Sequence, residues 1–484
     1  MDESSNHPIV KQIGFIAGPL AFILITTLVG PDFISPTAGK VLAVAVWMII
    51  WWIAEAAPVP VTALLPLILF PFLGIMKMSE AAAPYANPII FLFMGGFMIA
   101  LALEKHRLHE RIALNLVRIT GTSGNGIILG FTIATGFISM WISNTATAMM
   151  MLPIAVSVIN LLRRSTEETQ TMGERNFGVA LMLVIAYAAN IGGIATIIGT
   201  PPNVVFVGLL DQFAHEKISF GKWMLVGLPL SVTIMGLGYF ALTRFIFPNR
   251  LPQISGADAL IKNRLIDLGP MRKEEKLVLT IFTSTSLLWI FQQPLNIMLG
   301  SELLNDTNIG MAGGSLMFLV PASLKQFKFL LVWKDTEKLS WGILILFGGG
   351  LCLAQGLSSA GIIQAVGSYI AQQSQSVNWL LFGLIAASIF ITELMSNVAL
   401  VQIFIPVVFG IATNLGIDPI LLGMPVALGA SMAFMFPVAT PPNAIVFSSG
   451  HMKIKDMMRA GLVMNIIALA LIYAGAKFLI PLIL

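Results

Sequence analysis

Apolar runs of membrane-spanning length follow one another along almost the whole chain, and nothing else in the sequence constrains the fold as strongly. A helix that crosses the hydrocarbon needs about 20 apolar residues, within a range of about 17 to 25. Such runs fall near 13–30, 40–54, 59–73, 88–104, 177–212, 223–247, 277–291, 310–324, 340–357, 418–450 and 456–481. Two more, at 126–162 and 379–413, carry a polar Ser-Asn pair near the middle. Each is too long for one span and lacks a loop for two. A re-entrant hairpin suits both lengths, because polar, non-helical backbone at that depth is tolerated only inside protein or beside a water-filled cavity. The expectation is an all-α polytopic membrane protein with eleven transmembrane helices and two re-entrant hairpins.

Charge supports this reading. Only 10% of the 484 residues are charged, against roughly 25% in soluble domains, which argues against a water-soluble enzyme. The net charge of +4 is scattered rather than gathered, so no nucleic-acid partner is expected. The single cysteine, Cys352, excludes an internal disulfide and a thiolate metal cage. With the N-terminus inside, every basic residue except Lys40, Lys77, Lys217, Lys222 and Lys477 falls on the inner side, including Arg163 and Arg164. The positive-inside rule then sets a cytoplasmic N-terminus and an outer C-terminus, in a multi-pass plasma membrane protein of the bacterial inner-membrane kind. The first apolar run follows an acidic polar leader and lacks a small-residue cleavage site, so it reads as the first span rather than a signal peptide. The polar stretch 249–276 reads as a cytoplasmic link, too short for a core of its own.

The chain repeats itself. Gly95-Gly96 corresponds to Gly348-Gly349, and Ser143-Asn144 to Ser396-Asn397, both at an offset of 253. Thr200-Pro201-Pro202-Asn203 corresponds to Thr440-Pro441-Pro442-Asn443 at an offset of 240. The missing residues lie opposite the polar loop 163–176, where an insertion is tolerated. An odd number of crossings separates the copies, so they run through the bilayer in opposite senses. Inverted repeats are a common build of secondary transporters, with the site near the midplane where the repeats meet.

Each motif has a physical use. Ser, Asn and Thr are preferred at helix N-caps, so "SNT" at 143–145 ends one half-helix and starts the next. The new helix directs free N–H groups and its positive end into the cavity, where an anion binds without arginine. The preceding half-helix leaves carbonyl oxygens that suit a small hard cation. Consecutive prolines cannot continue a helix but are welcome in the first turn of one that restarts, so each "TPPN" breaks its span. No Lys or Arg lies in these four elements, so a multiply charged anion would need helix dipoles and co-bound cations. His106 and His109, three apart, read better as part of an amphipathic surface helix over 105–118 than as metal ligands. Glu393 beside the second tip is an intramembrane carboxylate, equally suited to function or to satisfying backbone donors. Glu55 reads as structural. No His/Ser/Asp grouping, paired intramembrane aspartates or zinc-type histidine spacing lies in the spans, so no enzyme is expected.

With "SNT" and "SNV" at the tips, two "TPPN" breaks and "WWIAEAAPVP" at 51–60, the chain resembles the divalent anion:sodium symporter family from about 13 to 481. The resemblance implies an elevator-type transporter and a homodimer in the lipid bilayer, importing C4-dicarboxylates such as succinate, malate or fumarate with sodium and no organic cofactor. It implies scaffold parts at 1–124 and 277–375. Transport parts would lie at 125–248 (hairpin 126–162, broken helix 177–212) and 376–484 (hairpin 379–413, broken helix 418–450), with the linker 249–276 between the repeats and arm helices near 106–122 and 359–374. By position, one sodium site would use Ser139, Ser143, Asn144 and Gly199, and its counterpart Thr392, Met395, Asn397 and Ala439, with Met395 and Ala439 giving only carbonyls. The dianion would meet Asn144, Thr145, Thr200, Pro201, Asn397, Val398, Thr440 and Pro441. Val398 stands where many bacterial members have threonine, which removes one hydroxyl donor. A sodium-independent anion exchanger, or a citrate or sulfate transporter of the same fold, is the alternative.

Overall fold

Proline and glycine positions govern where this apolar chain is helical and where it is not. The computed structural model describes residues 8–28, 35–165, 171–373 and 376–484. The side chains of Arg163 and Arg164, the last residues of the 13–30 run, residues 166–170 of the 163–176 loop and residue 374 of the second arm lie outside the described residues. Among the described residues, nine helices are long and apolar enough to cross a membrane. The run at 59–73 is not one helix but two, Val59–Thr62 and Leu65–Phe72, in a stretch where Pro58, Pro60 and Pro66 each remove a backbone donor. The run at 310–324 also departs from expectation. Its helix, Asp306–Leu319, stops short of Pro321, and the chain turns into a small antiparallel pair, Pro321–Ser323 with Lys328–Phe329.

The chain forms two compact units. The first gathers Met1–Phe91, Val204–Lys217 and Ser340–Ala430. Its apolar core includes Val44, Met48, Trp52, Phe70, Cys352 and Ile363. Helix Pro8–Leu28 packs on Pro36–Ala54, with Phe15 stacked on Trp51 at 5.4 Å. Glu55 closes the second of these helices in a left-handed conformation and pairs with Lys11 at 3.5 Å, in line with the structural role expected of it. Gly348 and Gly349 lie tightly against Tyr85 and the Ala63 carbonyl. No side chain would fit there, as is usual where apolar helices approach closely.

The second unit gathers Leu92–Asn203, Ile218–Leu339 and Ser431–Leu484. Gly95 packs against the backbone of Gly310, so both repeats use the duplicated glycines for close helix contact. Burial separates core helices from the others: Met172–Gly193 is 94% buried over its apolar window, while the N-terminal helix of the first unit is 11% buried. Tyr187 of that buried helix donates to the Phe434 carbonyl at 3.1 Å. Helices Phe220–Phe240 and Ile454–Ala474 both continue into π-helical turns, Ala241–Ile246 and Gly475–Leu479. The polar link contains helix Ala257–Leu268, which buries Ala257, Ile261 and Leu268 and packs on the helix Leu108–Ile119. That surface helix begins two residues later than the expected arm, and its counterpart spans Ile362–Gln373.

Candidate functional site

Both hairpin tips are built on one hydroxyl–amide pair. In the first, helix Gly124–Ser139 ends, the chain turns through 140–143, and helix Asn144–Ser165 begins. The buried Ser139 Oγ lies 2.7 Å from Asn144 Oδ1 and 2.8 Å from the Ala189 carbonyl. In the second, helix Val377–Ile391 gives way to Asn397–Leu415. Here Thr392 Oγ1 lies 2.7 Å from Asn397 Oδ1 and 2.7 Å from the Ala430 carbonyl. A hydroxyl carries one proton, so at each tip it can satisfy only one of its two acceptors. Three oxygens thus converge with one proton among them. That surplus of lone pairs is the donor set a hard cation takes.

Both broken helices are tied the same way. Met172–Gly193 stops and the helix resumes at Pro201–Phe213; Pro419–Gly429 stops and resumes at Pro441–Ser448. The carbonyls freed in between need partners. Asn203 Nδ2 donates to the carbonyls of Gly193 at 3.1 Å and Thr196 at 2.8 Å. Asn443 Nδ2 donates to those of Ala433 at 3.1 Å and Phe436 at 3.0 Å. The steps along the chain are the same in both cases, ten residues and seven. Sequence reasoning read "TPPN" as a break and passed over this asparagine, although its duplication was visible.

Within the second unit these parts meet. A Cβ placed on Gly193 would stand 2.8 Å from Asn144 Oδ1, 3.1 Å from Thr200 Cβ and 3.2 Å from the Gly199 carbonyl oxygen. Asn144, Gly199 and Thr200 therefore gather closely around Gly193. Thr196 Oγ1 donates to the Met140 carbonyl at 2.6 Å, joining the first tip to the first break. Asn190, which the sequence did not single out, lies with its Oδ1 3.5 Å from Asn144 Nδ2 and donates to Thr440 Oγ1 at 3.1 Å. It thereby links the first tip to the second break. Ser143 Oγ accepts the Ala146 N–H at 3.2 Å and caps the new helix, as the N-cap preference of the motif leads one to expect.

The remaining expected residues are placed as follows. Thr145, half-buried, sits in the first turn after the tip, Ala439 is buried, and Pro201 and Pro441 open the restarted helices. All four lie in the second unit. Thr392, Met395, Asn397 and Val398 lie in the first unit. Met395 and Val398 pack on its apolar core, and Glu393 is buried beside them. His106 and His109 each meet a backbone carbonyl, of Leu330 at 3.0 Å and Leu103 at 2.9 Å.

Apolar helices interrupted at duplicated polar motifs define a polytopic membrane transporter. The fold is similar to that of the YdaH transporter of Alcanivorax borkumensis, with a TM-score of 0.54 over 82% of this chain and 87% of that one, at 12% identity. A family model described as the sodium:sulfate symporter transmembrane region matches residues 11–484. The chain is 39% identical over 487 residues to the sodium-dependent dicarboxylate transporter SdcS of Staphylococcus saprophyticus, covering 99% of this chain and 93% of the relative. Its namesake in Staphylococcus aureus is 39% identical over 486 residues, covering 98% and 92%. The chain belongs to the divalent anion:sodium symporter family, whose members are transporters and not enzymes.

Proposed function

We propose that this protein imports C4-dicarboxylates such as succinate, malate or fumarate, driven by sodium. Full-length likeness to sodium-dependent dicarboxylate transporters supports the substrate class. The observation that carries sodium coupling is the duplicated hydroxyl–amide pair, Ser139 with Asn144 and Thr392 with Asn397, each with more acceptor oxygens than protons.

Electrostatics make the coupling reasonable. The helix starts at Asn144, Pro201 and Pro441 each offer roughly half a positive charge. Dipoles of that size leave a dianion incompletely neutralised where no arginine or lysine is at hand. Sodium ions supply the difference, and binding of each ion then favours the other. In this reading one sodium is held by Ser139, Ser143, Asn144 and Gly199 and another by Thr392, Met395, Asn397 and Ala439. The substrate carboxylates meet Asn144-Thr145, Thr200-Pro201, Asn397-Val398 and Thr440-Pro441. The capping bond of the Ser143 hydroxyl assigns that residue's share to its backbone. The transport parts 125–248 and 376–484 move elevator-fashion against scaffold parts 1–124 and 277–375 in a homodimer, with the N-terminus cytoplasmic and the C-terminus outside.

Uptake of labelled succinate into proteoliposomes, with and without an inward sodium gradient, tests the proposal. A gradient-dependent rise, competed by malate and fumarate, is expected. Equal uptake in both conditions favours the sodium-independent exchanger, and competition by citrate or sulfate alone moves the assignment to those anions.

A further inference from the structure

One buried amide is present in the first repeat and missing from the second. Asn190, only 1% exposed, lies near the end of the helix Met172–Gly193, ten residues before Thr200. Ten residues before Thr440 stands Ala430, so the second copy of this element forms without the amide. A buried amide is costly unless its hydrogen bonds are made, and folding alone does not account for keeping one in a single copy. Its partners do. Asn190, Asn144, Ala433 and Thr440 all belong to the second unit.

The Ala433 carbonyl can only accept, so the end of the Asn190 amide lying 3.2 Å from it is the donor, Nδ2. The second Nδ2 hydrogen goes to Thr440 Oγ1 at 3.1 Å. Asn190 Oδ1 is thereby turned to Asn144, whose Nδ2 lies 3.5 Å away in the longest contact of the group. The end of the Asn144 amide that meets this oxygen must be its donor. Asn144 Oδ1 therefore faces the other way, where Ser139 Oγ lies at 2.7 Å. Thr440 Oγ1 accepts a second bond, from the Asn443 N–H at 3.4 Å. A hydroxyl has two lone pairs and one proton, so both acceptor positions are taken and the proton is left to donate elsewhere.

From Asn144 Oδ1 to the Thr440 proton every link thus donates in one direction. Hydrogen bonds in such a chain polarise one another. A cation on Asn144 Oδ1 makes each following N–H or O–H a stronger donor, and an anionic oxygen is the best acceptor for the last of them. We propose, on the sodium-coupled reading above, that Asn190 is a positioning residue that couples the first sodium to the substrate. Sodium on Asn144 Oδ1 strengthens the Thr440 hydroxyl as a donor to a substrate carboxylate, and by linkage the substrate tightens sodium by the same factor. At the second tip Ala430 offers Thr392 only its carbonyl, so the relay belongs to the first repeat.

The test measures succinate binding to the full-length protein at low and at saturating sodium. The readout is the factor by which sodium raises succinate affinity, which a merely structural role leaves unchanged. Asn190→Ala should cut that factor about tenfold. Asn190→Asp has the same size and still accepts from Asn144, but it has no N–H for Thr440 and should cut the factor as well. Thr440→Val added to Asn190→Ala should lower it no further, because Asn190 acts through that hydroxyl. Tyr187→Phe removes a bond from the same helix to the neighbouring Phe434 carbonyl; it should lower the thermal midpoint and keep the factor. A wild-type factor in both Asn190 variants, even with weaker binding overall, overturns the proposal and leaves the sodium-coupled reading standing. A further fall on adding Thr440→Val, as large as that substitution causes alone, overturns it too. A wild type whose succinate affinity ignores sodium overturns that reading, and the relay with it.

Discussion

The two hairpin tips differ most where they would touch substrate and least where they would hold sodium. Both place a hydroxyl five residues before an asparagine, at the same 2.7 Å spacing and against a carbonyl from another element. Around that shared pair the halves diverge. The first has Thr145 after its asparagine and Asn190 behind it. The second has Val398, packed into an apolar core. The unwound stretch 194–200 is buried throughout, whereas 435–437 is partly open and Val438 is 71% exposed. Under the proposed assignment, repetition is kept where a spherical cation would set the demand and relaxed where an elongated, asymmetric anion would set it.

The strongest test of that division removes the shared element. Asn144→Ala and Asn397→Ala should each abolish sodium-dependent succinate uptake while the protein still reaches the membrane in wild-type amounts. Wild-type transport by either variant would break the equivalence of the tips and the site assignment together.

Next in size are the asparagines that tie the broken helices. Asn203→Ala and Asn443→Ala each strip two carbonyls of their donor, and a buried polar group left unsatisfied costs about 1–3 kcal/mol. The fully buried first stretch should sit at the upper end of that range, and the second, where water reaches, at the lower. Thermal midpoints in detergent decide the order, and a larger loss at Asn443 would contradict it.

How far the sequence led depends on distance along the chain. The helix breaks were legible because Pro201-Pro202 and Pro441-Pro442 lack the donors a continuing helix needs, and that is a local property. The tips were legible because Ser-Asn recurs at one offset. The partners of Ser139 and Thr392 were not, because Ala189 and Ala430 contribute only carbonyls, which every residue has. Asn190 was hidden for a related reason: its bond to Thr440 spans 250 residues, and its side chain is one polar group in a long apolar helix. The failures at 59–73 and 310–324 came from reading hydropathy over a window and overlooking Pro60, Pro66 and Pro321 inside it.

The hydroxyls themselves come next. Ser139→Ala and Thr392→Ala each remove one of three oxygens at a tip. Each should raise the sodium concentration for half-maximal uptake by about tenfold, or about 1.4 kcal/mol. Ser139→Thr and Thr392→Ser keep the oxygen and should stay close to wild type. Sodium activation curves at saturating succinate make the comparison. A shift in succinate affinity with an unchanged sodium curve would reassign these hydroxyls to the anion.

The smallest effect separates two serines that the sequence presents as equals. Ser143 Oγ accepts the Ala146 N–H and caps its helix, while Ser396, at the same place in the second repeat, makes no capping hydrogen bond. Loss of a serine cap typically costs about 1 kcal/mol. Ser143→Ala should therefore lower the thermal midpoint measurably, and Ser396→Ala should leave it nearly unchanged. The N–H groups at the start of Asn397–Leu415, lacking a serine cap, remain available to an anion. Succinate should thus protect Ser396→Ala against heat as well as it protects wild type. Equal destabilisation by the two substitutions would mean that both serines cap alike, and the contrast drawn between the tips would then reduce to Thr145 and Val398.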